Sequence, residues 1–188
     1  MKKPVIVFAL LLSFVSISFA QQKPLPMRLT SSAFPDGTVI PIKYTQASAV
    51  DPVSPDFTWT DAPAATQSYV LWMHDLDVAL NKTTHDNLHW LVWNIPGQTT
   101  SLSEKIPVGA QLPDGTYQIS YAGPWYRGPG APAAGPLHHY IFELFALDIK
   151  LDEKAGSNGI ETQANIFKLM QGHVIGKAAY TGLFHRPQ

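Results

Sequence analysis

The 188-residue chain contains no cysteine. No disulfide can staple it, no thiolate can act as nucleophile or soft metal ligand, and no cysteine-linked lipid can anchor it. Charge is scarce too: 14% of residues are charged, the formal net charge is -1, and no basic block occurs along the chain. A nucleic-acid backbone binder needs a dense positive surface, so nucleic acid is excluded as a partner. The sequence has no H-E-x-x-H metal pair and no G-x-S-x-G nucleophile elbow. Long apolar runs are also missing. The run from Val5 to Phe19 falls short of the roughly 20 residues that span a bilayer.

That run is read as an address. Lys2 and Lys3 form a basic lead-in, and Ser18 and Ala20 are small residues of the kind a signal peptidase reads. Residues 1–20 are therefore expected to be a signal peptide cut before Gln21, with a retained anchor as the competing reading. The protein is then exported to the periplasm or beyond, with no stable insertion in the membrane. Residues 21–188 form one expected domain.

Hydrophobic residues make up 45% of the chain, and there are 16 prolines and 13 glycines. This describes a globular protein of short strands punctuated by turns. Arg28–Phe34 and Thr38–Tyr44 flank the turn Phe34-Pro35-Asp36-Gly37 and read as a hairpin. Phe57–Trp59 follows as a short strand. Ser68–Met73 and Leu88–Ile95 are apolar on both faces, which suits central strands, with buried helices as the alternative. Tyr117–Tyr121 comes next, then a Gly/Pro/Ala-rich loop from Gly123 to Pro136, then His138–Asp148 as the longest expected strand. Ala164, Phe167 and Met170 recur at helical spacing after Asn158-Gly159, with Gly172 placed to end that helix. Val174–Tyr180 is expected to form a second short helix. The sum is a mainly β fold with a helical cap late in the chain.

Polar residues stranded in apolar strands mark the candidate site. Asp75 and Asp77 end one strand, and His89 opens another. His138 and Tyr140 lie two apart, so they share a sheet face directly after the glycine-rich loop. An imidazole and a phenol can both donate hydrogen bonds. Backbone N–H groups of Gly128 and Gly130 can approach a ligand closely because no Cβ intervenes. An anion pocket is one reading. The other is that each group is merely a hydrogen-bonded core or edge residue. A His–Asp pair could also act as a general base, or hold a metal with a second histidine.

Several segments resemble the phosphatidylethanolamine-binding (Raf-kinase-inhibitor-like) family, in its bacterial YbhB/YbcL branch. Gly128-Pro129-Gly130-Ala131-Pro132 followed by Gly135-Pro136-Leu137-His138-His139-Tyr140 is similar to the family's G-x-P-P-x-G-x-H-R-Y signature. His89-Trp90-Leu91-Val92-Trp93-Asn94-Ile95-Pro96 resembles its H-W-x-V-x-N-I-P strand, and Ser54-Pro55-Asp56-Phe57-Thr58-Trp59 its S-P-x-L-x-W segment. Gly172-His173-Val174-Ile175, with Gly182 and Phe184, matches the bacterial C-terminal pattern. The resemblance implies a large central antiparallel sheet, a smaller sheet and short C-terminal helices. It also implies a pocket for phosphate-like groups formed by Asp75, His89, His138, Tyr140 and the Gly128 loop, with Asp77 and Pro129 behind it. No cofactor or metal is implied. Expected partners are a small phosphorylated or other anionic ligand, a second copy of the chain as in bacterial relatives, and a protein partner by analogy with kinase inhibitors. Two departures stand out. The family's D-P-D-A-P is Asp75-Leu76-Asp77-Val78-Ala79 here, and the arginine of H-R-Y is His139.

Overall fold

The computed structural model describes residues 26–188. The expected signal peptide lies outside the described residues. The two runs that are apolar on both faces become adjacent strands near the middle of one sheet. In chain order the strands are β1 (Arg28–Thr30), β2 (Thr38–Val39), β3 (Phe57–Thr60), β4 (Ser68–Asp75), β5 (Asn87–Pro96), β6 (Ser101–Leu102), β7 (Tyr117–Ile119), β8 (His138–Leu147) and β9 (Val174–Phe184), with helix α1 (Gly159–Met170) before β9. A six-stranded sheet runs β2-β9-β8-β4-β5-β7, and a three-stranded sheet runs β1-β3-β6.

The large sheet is covered on both faces, which explains why β4 and β5 lack the polar alternation of a half-exposed strand. One face packs Tyr69, Leu71, Met73, Phe142 and Leu144 against Phe57 and Trp59 of the small sheet. The other packs Val70, Leu91, Trp93 and Leu147 against Ile166 and Met170 of α1. Each such side chain, once removed from water, contributes roughly 1.5–3 kcal/mol. Asn158 caps α1 by accepting from the backbone N–H of Ile160 at 3.0 Å and of Glu161 at 3.3 Å. Gly172, at φ 83°, takes the left-handed conformation just beyond the helix.

Three expectations are corrected. Arg28–Phe34 and Thr38–Tyr44 do not form a hairpin: β1 pairs with β3, while β2 runs parallel to β9, and Ile42–Tyr44 is a 3-10 turn. The Pro35-Asp36-Gly37 turn does form, but it docks on β9. The Gly37 N–H donates to the Thr181 carbonyl at 2.8 Å, and Asp36 accepts from the Thr181 N–H at 2.7 Å. Secondly, Val174–Tyr180 is no helix. It belongs to β9, whose second half alternates buried Ala178, Tyr180 and Phe184 with more accessible neighbours. The helical cap is thus the single helix α1 among the described residues. Thirdly, β9 has 11 residues and β8 has 10, so the longest strand is β9.

Candidate functional site

The site gathers where β4, β5 and β8 end together. Register places Asp75, the last residue of β4, between Asn87 of β5 and Tyr140 of β8. His138 opens β8, and its Nδ1 lies 2.9 Å from Oδ2 and 3.1 Å from Oδ1 of Asp75. The carboxylate is 2% exposed, so its charge is held by partners and not by water. A second one is the Asp77 N–H, which donates to Asp75 Oδ1 at 3.0 Å.

His89 is positioned from the opposite side by the Gly/Pro loop. Its Nδ1 donates to the Arg127 carbonyl at 2.8 Å, with the Gly128 carbonyl at 3.2 Å. Its Nε2 faces the Asn87 side-chain amide at 3.2 Å. The ring meets Tyr140 edge-on, 5.1 Å between centroids, and His138 stacks 6.5 Å from the same phenol. The Tyr140 hydroxyl accepts from the backbone N–H groups of Gly130 at 3.2 Å and Ala131 at 3.0 Å.

Besides any backbone donors, the loop supplies acceptors. The Gly130 N–H is spent on Tyr140, and Gly128 offers its carbonyl to His89 and to the Gln46 amide, the latter at 2.7 Å. Glycine is required at 128 for space: a Cβ there would lie 2.4 Å from the Tyr44 carbonyl oxygen. Pro129 is buried and its carbonyl accepts from the Gln46 N–H at 2.8 Å.

Burial lowers the pKa of His89 below the ordinary histidine value, against its carbonyl partners and the Asp75 charge. Burial, aided by the Asp75 carboxylate, pushes the Tyr140 phenol far up, so its hydroxyl keeps its proton. For Asp77, burial would raise the carboxyl. The His139 backbone N–H at 2.6 Å and ring nitrogen at 3.0 Å outweigh it and hold the group below its usual range.

Both departures from the family pattern acquire partners. The Leu76 N–H donates to the His139 carbonyl at 3.0 Å, a bond that proline in that position could not make. His139 itself holds Asp77. Asp75, Asp77 and His138 each bring one ligand-type atom within 4.8 Å of the others, close enough to share a cation. The Asp75 and Asp77 oxygens already accept hydrogens from His138, His139 and the backbone, which suits a hydrogen-bonded pair.

Sequence reasoning missed Asn87, the Arg127 carbonyl and Arg186, whose guanidinium donates to the Gly130 carbonyl. It also left Glu143 without a partner. Glu143 pairs with Lys177, and its other oxygen lies 3.6 Å from His74 Nε2. His74 in turn bonds Asp86 through Nδ1.

A sheet sandwich with a polar cluster at the ends of its central strands, two histidines held by an acid and a loop carbonyl, defines a class of binding fold. The chain belongs to the phosphatidylethanolamine-binding protein family, whose model matches residues 30–185. A UPF0098 protein of Methanothermobacter thermautotrophicus is 35% identical over 162 residues, covering 85% of this chain and 99% of the relative. YbhB of Escherichia coli, also a UPF0098 protein, is 32% identical over 84% of this chain and 99% of its own. Among solved structures, a phosphatidylethanolamine-binding protein homologue of Chlamydia trachomatis superposes with a TM-score of 0.69 at 28% identity, covering 85% of this chain and 97% of its own. Escherichia coli YbcL, described as a member of the mammalian family, shares the fold with a TM-score of 0.71 at 24% identity, over 86% of this chain and 99% of its own.

Proposed function

We propose that this family member is an exported binding protein that takes a small phosphate-like anion at the Asp75–His89–His138–Tyr140 site. The observation that carries the reading is that both imidazoles are held through Nδ1, His138 by Asp75 and His89 by the Arg127 carbonyl. With Nδ1 as the donor, Nε2 of a neutral ring is a lone pair and repels an anion. Nε2 becomes a donor only in the imidazolium. Ligand binding therefore takes up protons, and the anion repays the burial that disfavours a charged His89.

The affinity for phosphoethanolamine and inorganic phosphate is expected to rise at least about tenfold between pH 8 and pH 5, most of it below the ordinary histidine value of about 6.5 because burial lowers His89. Calorimetric titration in buffers of different ionisation enthalpy reads both the affinity and the protons taken up. His138→Ala is expected to remove binding while leaving the protein folded. An affinity that stays flat across this range, or that survives in the variant, overturns the proposal.

A further inference from the structure

Successive residues of a strand face opposite sides of a sheet. Asp75 of β4 turns toward the anion site, whereas Trp72 and His74 turn toward the face that carries α1. There a cavity of about 360 Å³ opens between the Leu80–Asp86 segment and α1, within the size range of small-molecule sites. Its walls include Trp72, Leu80, Ile160, Ala164 and Phe167, with Asp86 at the polar side. Trp72 and Phe167 meet edge-to-face with centroids 4.7 Å apart, which fixes an aromatic corner. Ile160 is 45% exposed and presents apolar surface on the helix face beside it.

Charge separates this cavity from the anion site. No lysine or arginine lines it, and Asp86 is its one carboxylate. Of that carboxylate, Oδ2 is engaged by His74, and no other described hydrogen bond reaches the side chain. His74 stacks flat on Trp72, 3.6 Å between centroids at 8°. One ring face of Trp72 is thereby taken up inside the protein. A ligand cation is best served by the free Asp86 oxygen, with its apolar body packed in the aromatic corner. An anion would meet Asp86 with no lysine or arginine lining the cavity to offset it.

We infer that the protein has a second small-molecule site on the α1 face of its large sheet, selective for an arylalkyl ammonium ligand whose ring lies in the Trp72–Phe167 corner and whose ammonium group pairs with Asp86.

The test is titration of the protein near neutral pH with 2-phenylethylamine, followed by calorimetry and by the backbone and indole NMR signals. Phenylacetate and 2-phenylethanol serve as the anionic and neutral probes. The amine is expected to bind saturably with one-to-one stoichiometry and to shift signals of Trp72 and Ala164. Phenylacetate is expected to bind at least about tenfold more weakly, since the sign of one charge pair decides between them. Saturating phosphoethanolamine should not compete. Ala164 is solvent-exposed on α1, so Ala164→Trp fills the cavity without touching the core and is expected to abolish binding in a protein of unchanged stability. Asp86→Asn should weaken the amine while leaving 2-phenylethanol unaffected. Non-saturable binding of the amine, equal binding of phenylacetate, or full retention in Ala164→Trp would each overturn the inference.

Discussion

Tyr140 illustrates how one side chain can be structural and functional at once. Its hydroxyl satisfies two backbone donors, the part-buried Gly130 N–H and the buried Ala131 N–H, while its ring is flanked by both site histidines. Tyr140→Phe keeps the packing but leaves both donors without a partner, at about 1–3 kcal/mol. Urea denaturation should show that loss as a lower midpoint with an unchanged slope. His74 carries a different dependence. Burial disfavours its charged form, but the hydrogen bond to Asp86 and the nearby Glu143 carboxylate outweigh that, so its folded pKa stands above the ordinary 6.5. The stability it contributes is complete below about pH 6.5 and is lost as pH rises through the folded value. Asp86→Asn should therefore cost about 1–2 kcal/mol near pH 6 and less near pH 9, measured as the difference in unfolding free energy from the parent protein. At this scale the paired spacing of His138 and Tyr140 was legible from the period of a strand. The acceptor that orients His89 was not, because it is a backbone carbonyl of Arg127 and a carbonyl has no side-chain signature.

Elements obey competing local rules, and α1 shows which one wins. By helix propensity alone, Gly159→Ala at its first residue should stabilise by up to about 1 kcal/mol. A Cβ at 159 would, however, lie 2.4 Å from the Ser120 carbonyl oxygen, and backbone cannot move aside cheaply. We expect net destabilisation of about 1–3 kcal/mol, visible as a lower thermal midpoint. The same conflict explains why β9 was hard to read. Gly176, Ala178, Ala179 and Gly182 are weak strand formers, and small residues resemble a short helix. Their size is set by neighbours distant in sequence: a Cβ at Gly176 would press on Met27 and Pro63, and one at Gly182 on Ile40. The Phe34–Gly37 turn was legible from its residues, and Gly37 has φ 73°. Its use was not, since the choice of β9 over a local hairpin is made by tertiary pairing. By contrast β4, β5 and α1 announced themselves, because burial on both faces and a capped helical period are written in contiguous residues.

For the whole molecule, the absence of cysteine leaves stability to a core split between the two faces of one sheet. The proposed export is tested at this scale. Mass spectrometry of protein recovered from a periplasmic or culture-supernatant fraction should give a mature chain beginning at Gln21, and an intact Met1 chain confined to the cytosol would count against it. The site residues of β4, β5 and β8 come to one end of the sheet because β4 lies between β5 and β8, an adjacency no single tract encodes.

The placement of β9 has a consequence for the timing of synthesis. It is the last element of the described chain, yet it pairs with β8 from His138↔Phe184 to Leu147↔Val174 and carries β2, from early in the chain, on its outer edge. During translation, β8 has one neighbour available and one edge unfilled until Val174–Phe184 have left the ribosome. A chain stopped before Val174 would therefore present β8 as an open edge, ready to pair with another copy of itself.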